Sequence, residues 1–366
     1  MGTENRSGNG NEALLKMREV EIDGFSDERW HRIIKGVDLT LHRGEVIGLI
    51  GESGAGKSTL GLAAMGFARA GCRIKSGTIE FDGIDLINAS EQQKRNLWGS
   101  RIAYVAQSAA AAFNPAYRLI DQTIESVVRH QLRSARAARD EARRLYHSMD
   151  LPDPDAFGNR YPHQVSGGQL QRAMTAMAMA SRPDLIILDE PTTALDVTTQ
   201  VNVLAAIRQI VEKFHTAAIY ITHDLAVVAQ MAHVIKVLRF GETVEQSDAK
   251  TMLAMPKHPY TKSLWAVRKI TKTKESSDEQ VLRIEDIDAA YGSGPKVLHD
   301  VSISIPRGCT VSIVGESGSG KSTIARVVTG LLPPRKGRVV FAGKELPNSL
   351  ASRSIQDLRR IQMIYQ

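Results

Sequence analysis

Apolar and polar positions alternate along two stretches of this chain, and each stretch runs into nearly the same glycine loop. In the first, Gly36-Val37-Asp38-Leu39-Thr40-Leu41 alternates with a period of two and predicts a half-buried strand. An Arg43-Gly44 turn follows, and the apolar run Val46-Ile47-Gly48-Leu49-Ile50 predicts a strand buried on both faces. The second stretch repeats the plan from Asp300-Val301-Ser302-Ile303-Ser304-Ile305 through Arg307-Gly308 into the apolar run Cys309 to Val314. Beyond the loops, Gly77 to Gly83 matches Gly337 to Gly343, and Arg101 to Gln107 matches Arg360 to Gln366. Similarity over this length, in this order, is an internal repeat.

The first copy continues. Arg/Ala/Leu-rich sequence from Asp121 to Met149 predicts helices, with a single helix and one wet face expected across Arg129–Arg144. Then come Tyr161-Pro162-His163-Gln164-Val165-Ser166-Gly167-Gly168-Gln169 and the apolar strand Leu185-Ile186-Ile187-Leu188, which ends in Asp189-Glu190-Pro191. Ala194-Leu195-Asp196 and a last apolar strand, Ala218 to Ile221, lead to Thr222-His223-Asp224. The second copy reaches Gln366. If the repeat is faithful, at least 223 − 107 = 116 residues, the distance from Gln107 to His223, have no second-copy counterpart, and an unpaired edge is expected. The reading is therefore α/β, with a tail at 1–16, a complete domain at 17–268, a linker at 269–280 and a partial second domain at 281–366.

Composition narrows the class. With 42% hydrophobic and 24% charged residues, the 366-residue chain is that of a globular protein. No apolar run approaches the roughly 18 residues of a membrane span, and Met1 to Asn11 lacks the apolar segment of a signal peptide. The two cysteines, Cys72 and Cys309, have no metal-ligand spacing, which points to a reducing cytosol without a structural metal. A formal charge of +7 fits nucleic acid, an anionic membrane face, or charge scattered over solvated helices.

The candidate chemistry lies in the loops. Gly51-Glu52-Ser53-Gly54-Ala55-Gly56-Lys57-Ser58-Thr59 and Gly315-Glu316-Ser317-Gly318-Ser319-Gly320-Lys321-Ser322-Thr323 both fit G-x-x-x-x-G-K-[ST]. In that loop, backbone N–H groups cradle phosphate, the lysine reaches the β/γ-phosphates and the hydroxyl meets Mg²⁺. Asp189 and Glu190 end a buried strand, where one carboxylate can serve a metal and the other can take a proton from water. A helix start favoured by the helix dipole is the alternative reading of Asp-Glu-Pro. Ser166-Gly167-Gly168-Gln169 can bring backbone N–H groups and a hydroxyl close to an anion, or can be a simple turn.

Together these motifs resemble the ATP-binding cassette family across nearly the whole chain. The resemblance implies a P-loop fold with a helical subdomain, ATP and Mg²⁺ as ligands, and a paired arrangement. In that arrangement each ATP sits between the P-loop of one half and the signature turn of the other. It implies that Lys57, Ser58 and Lys321, Ser322 bind phosphate and Mg²⁺, that Asp189 serves the metal and that Glu190 is the general base. Gln107 and its counterpart Gln366 correspond to the glutamine near Mg²⁺ and the attacking water, His223 to the residue at the γ-phosphate, and Asp196 to the aspartate of the next loop. Ser166, Gly168 and Gln169 correspond to the signature, with Val165 where the family has Leu. The adenine-stacking aromatic is Tyr291 in the second copy and Phe25 in the first, with Trp30 as the alternative.

Phe113-Asn114-Pro115, Tyr161 to Gln164 and His258-Pro259-Tyr260-Thr261 resemble the bacterial peptide and nickel importer branch. That likeness implies an ATPase peripheral to the cytoplasmic face of the inner membrane. Its partners would be integral membrane permease subunits, met around Phe113–Tyr117, a solute-binding protein, and a second nucleotide-binding domain in cis or trans. Nucleic acid is not expected. The alternatives are a soluble cassette ATPase acting on ribosomes or DNA, and a truncated product.

Overall fold

The computed structural model describes residues 13–192, 195, 197–266, 279–315 and 318–364. Apart from residues 197–198, which group with the second, these fall into two compact units on either side of residues 267–278.

The first unit opens with an antiparallel pair, β1 (Ala13–Ser26) and β2 (Arg29–His42). The chain leaves this layer as β3 (Val46–Ile50), passes the first glycine loop into α1 (Lys57–Ala63), and returns as β4 (Cys72–Phe81) and β5 (Ile84–Asp85). The resulting sheet has the order β2-β1-β4-β5. Residues 1–16 read as a tail, yet β1 already begins at Ala13. Leu15 faces both Leu41 and Phe81 across its neighbours, and Leu14 and Leu15 are buried, so apolar partners on two strands draw this end into the sheet.

After α2 (Glu91–Leu97) comes β6 (Ile102–Val105). A helical layer follows, made of α3 (Ala109–Ala112), α4 (Leu119–Arg129), α5 (Ala135–Ser148), α6 (Pro154–Phe157) and α7 (Gly167–Met179). The single helix expected across Arg129–Arg144 is broken. Gln131 takes φ 53°, and Ser134 caps α5 by accepting the Ala137 N–H at 3.3 Å. Glu141, on the face expected to be wet, is buried between Arg182 (2.8 Å) and Arg144 (3.0 Å).

β7 (Leu185–Asp189), α8 (Val197–Phe214), β8 (Ala217–Ile221), α9 (Leu225–Met231) and β9 (Val234–Arg239) then alternate. With β10 (Glu242–Asp248) antiparallel at one edge, they complete a sheet of order β10-β9-β3-β8-β7-β6. β3 lies between β8 and β9, parallel to both, which explains its unbroken apolar sequence. α10 (Ala249–Ala254) and α11 (Pro259–Ala266) end the described part of this unit.

The second unit repeats the antiparallel layer with β11 (Gln280–Ala290), β12 (Lys296–Pro306), β13 (Lys336–Phe341) and β14 (Lys344–Glu345), in the order β12-β11-β13-β14. α12 (Lys321–Thr329) and α13 (Ile355–Arg360) accompany it. The linker expected at 269–280 lies outside the described residues except at its end, where Gln280 already pairs with Pro306 in β11.

The strand expected from Cys309 to Val314 does not form, and neither does a counterpart of β6. Residues 309–315 and 361–364 are irregular, with Val314 81% and Ile364 96% exposed. In the first unit the equivalent strands are held by β7, β8 and β9, and no counterparts of those three occur among the described residues of the second.

Candidate functional site

The carboxyl ends of β3, β6, β7 and β8 converge on one edge of the parallel sheet, the usual place for a ligand crevice in an open α/β fold. β3 feeds the glycine loop. Gly51 takes φ 153°, and a Cβ there would lie 2.2 Å from the Leu238 carbonyl oxygen; Gly56 takes φ 94° and would drive a Cβ to 2.5 Å from Ile34. Only glycine fits at both positions. Gly54, at φ 83°, has open space beside it.

Lys57, the first residue of α1, is 7% exposed and donates to the carbonyls of Gly51 and Glu52, both at 2.8 Å. Burial pulls its ammonium below the ordinary lysine value, against the charges of Glu190 and Asp189. Ser58 Oγ donates to Asp189 Oδ1 at 2.9 Å, and Thr59 follows it, half-buried.

Asp189 is 2% exposed, and Tyr104 on β6 donates to its other oxygen at 2.7 Å. Burial, then the bond to Asp189, pushes the Tyr104 phenol far above its ordinary value. Tyr104 was not anticipated. Nothing in the short apolar run of β6 points to a partner 85 positions away.

Glu190 takes φ 48°, a left-handed conformation costly for a residue with a Cβ. Its carboxylate is bracketed: Gln107 Nε2 donates to Oε2 at 3.1 Å, and His223 Nδ1 lies 3.0 Å from Oε1. Gln171, buried on α7, donates to the Ala106 carbonyl at 3.2 Å and steadies the backbone beside Gln107. The structure thus brings Lys57, Ser58, Gln107, Asp189, Glu190 and His223 together.

Ser166, Gly168 and Gln169 stand apart from that cluster, at the start of α7. Ser166 Oγ accepts the Gln169 N–H at 3.3 Å, while Gln169 Oε1 accepts the Ser166 N–H at 3.1 Å. This capping box holds the turn, and Ser166 remains exposed.

Phe25 and Trp30 face each other across β1 and β2 with ring centroids 5.3 Å apart, 53% and 42% exposed. Arg73 lies 4.0 Å over the Trp30 ring. In the second unit Gly315, Gly318 and Gly320 keep the positive φ values of the first loop, and Lys321 donates to Gly315 O at 2.8 Å. Ser322 is exposed. Tyr291 Oη lies 3.3 Å from Thr323 Oγ1 and accepts from Arg326 at 3.0 Å. Asp196 and Gln366 lie outside the described residues.

The donors around Ser58 suit a hard cation. One hydroxyl and one carboxylate 2.9 Å apart match the way Mg²⁺ is held, by one or two protein oxygens with the rest from phosphate and water.

The description "ABC transporter" matches residues 34–193 and 298–366, spanning both loops. The chain belongs to the ABC transporter family. Glutathione import ATP-binding protein GsiA of Salmonella paratyphi A is 33% identical over 378 residues, covering 91% of this chain and 60% of the relative. Dipeptide transport ATP-binding protein DppD of Escherichia coli K12 is 40% identical over 252 residues, covering 69% of this chain and 77% of the relative. The chain thus spans 60% of the length of the GsiA protein. Among solved structures, the ATP-binding cassette MJ0796, dimeric and bound to ADP and Pi, shares the fold at a TM-score of 0.58 and 23% identity over 64% of this chain and 99% of that one. CbiO1 of Clostridium perfringens does so at 0.55 and 22%, over 67% of this chain and 92% of its own. The α/β P-loop cassette expected from the sequence is the family's fold.

Proposed function

We propose that the first unit binds and hydrolyses MgATP and energises an importer of peptides or similar small solutes. The observation that carries this reading is the Glu190 carboxylate, held at one oxygen by Gln107 and at the other by His223, beside the Ser58–Asp189 pair. Glu190 so placed takes a proton from the attacking water, and Gln107 and His223 orient it. Lys57 exchanges its two carbonyl partners for phosphate oxygens. Ser58 and Asp189 hold Mg²⁺, which neutralises phosphate charge when bound. Phe25 stacks on adenine, since Arg73 already covers one face of Trp30; Tyr291 does so in the second unit. Gly315, Gly318, Gly320, Lys321, Ser322 and Thr323 bind a second nucleotide there, and Ser166, Gly168 and Gln169 keep the signature role the family implies. Asp196 and Gln366 keep the roles the family implies.

The named functions of GsiA and DppD support import over action on ribosomes or DNA. On this reading the chain works at the cytoplasmic face of the inner membrane, with permease subunits, a solute-binding protein and a second nucleotide-binding domain. No helix of the described residues is long and apolar enough to cross a membrane. Phe113, expected at the permease contact, is core-buried, whereas Tyr117 is 59% exposed beside a cavity of about 640 Å³ that Asn114, Gln122 and Val128 also line. That cavity is the proposed docking place.

ATP turnover by the whole chain tests the chemistry. Glu190→Gln is expected to lower turnover by about 10²-fold or more with nucleotide binding retained, and Lys57→Ala to lose binding. Unchanged turnover in both refutes the assignment. Co-sedimentation with ribosomes instead of membranes refutes the importer reading.

A further inference from the structure

The segment His258-Pro259-Tyr260-Thr261 reaches the nucleotide loop directly. Tyr260, in the first turn of α11, is 5% exposed, and its hydroxyl accepts the Glu52 N–H at 2.9 Å. Its ring lies beneath the Arg239 guanidinium, 4.6 Å from the centroid. The approach to α11 is fixed as well. The two oxygens of Glu245 accept the Lys257 N–H at 2.8 Å and the His258 N–H at 2.9 Å, and His258 Nδ1 accepts the Tyr260 N–H at 3.2 Å. Pro259, which has no N–H to satisfy, takes the first helical position.

The peptide between Gly51 and Glu52 is planar, so its carbonyl and its N–H turn together. The carbonyl accepts Lys57 Nζ at 2.8 Å and the N–H is donated to Tyr260. Rotating this peptide breaks both bonds at once. The wall behind Gly51 is the Leu238 carbonyl, one residue before the Arg239 that covers Tyr260, so the end of β9 supports both partners.

We propose that Tyr260 is a positioning residue: its hydroxyl sets the orientation of the Gly51–Glu52 peptide and, through that carbonyl, the resting place of Lys57. The tail segment is thereby coupled to the phosphate loop. This inference rests on the nucleotide site proposed above.

The test is the dissociation constant of MgATP for the whole chain, read beside the melting temperature without nucleotide. Tyr260→Phe keeps the ring under Arg239 and removes only the acceptor. It is expected to weaken MgATP about five-fold, the worth of one neutral hydrogen bond, with the melting temperature unchanged. If Tyr260→Phe binds like the wild type while Lys57→Ala loses binding, the role of Tyr260 is overturned and the nucleotide site stands. If Tyr260→Phe and Lys57→Ala both bind like the wild type, the nucleotide site itself falls. A weaker affinity matched by a lower melting temperature makes Tyr260 a packing residue and overturns the proposal.

Discussion

Lys236 shows how far one side chain can depart from what its neighbours in sequence suggest. It sits in β9 beside Leu49 of β3, 3% exposed, with Thr243 Oγ1 3.4 Å away. Burial pushes its amine down from 10.5 to about 8, and the charge of Asp38 only partly opposes this. Between pH 8 and 10.5 the unfolded chain holds a proton that the folded one has released. This group therefore makes stability rise with pH across that window; below pH 8 the buried ammonium is a constant cost. Lys236→Met removes that term. The difference in unfolding free energy between wild type and variant is expected to shift by up to about 3 kcal/mol from pH 8 to 10.5. Urea titrations giving parallel profiles would show that Lys236 titrates normally. The residues of the glycine loop were legible for the opposite reason. Lys57, Ser58 and the glycines owe their geometry to a few adjacent positions, whereas Tyr104 and Tyr260 act on groups 85 and 208 residues away.

At the level of elements, the start of α7 separates folding from binding. Gly167 is its first residue, and a Cβ built there meets nothing within 4 Å. The chain itself therefore accepts a methyl group, and alanine favours a helix over glycine by up to about 1 kcal/mol. Gly167→Ala is expected to leave the melting temperature unchanged or raised. If the turn closes on a nucleotide held elsewhere, ATP turnover falls, because the methyl obstructs an approach that comes from outside the unit. Full turnover in this variant would remove the signature turn from the proposed mechanism. Most elements of this unit were readable from period alone, since β2, β3, β7 and β8 each carry an apolar pattern of one kind. The break between α4 and α5 was not. It depends on Gln131 adopting a positive φ and on Ser134 facing the Ala137 N–H, and neither changes the helical apolar pattern on each side. β1 was misjudged at its start because Leu14 and Leu15 are an isolated apolar pair whose partners lie on β2 and β4.

At the scale of the molecule, two copies of one sequence plan reach different ends. Val46 to Ile50 and Thr310 to Val314 carry closely similar patterns, yet the first is a fully buried strand and the second is irregular, with Val311 and Ile313 more than 40% exposed. Intrinsic strand preference cannot account for that contrast, because it is nearly the same in both. The difference is the hydrogen bonding that β8 and β9 offer to β3 on either side, which no described strand ladder offers to residues 311–314. The antiparallel layers need no such help: β11, β12 and β13 pair with one another and close over a core around Ile287, Leu298 and Val339. Amide hydrogen exchange should register this division. Leu49 and Ile50 are expected to exchange only through large-scale opening, Ile284 and Val339 at an intermediate rate, and Val311 to Val314 as fast as unstructured chain. Protection of Val311 to Val314 equal to that of β3 would mean that the segment pairs with another strand in solution, and would refute the view that flanking strands alone separate the two copies.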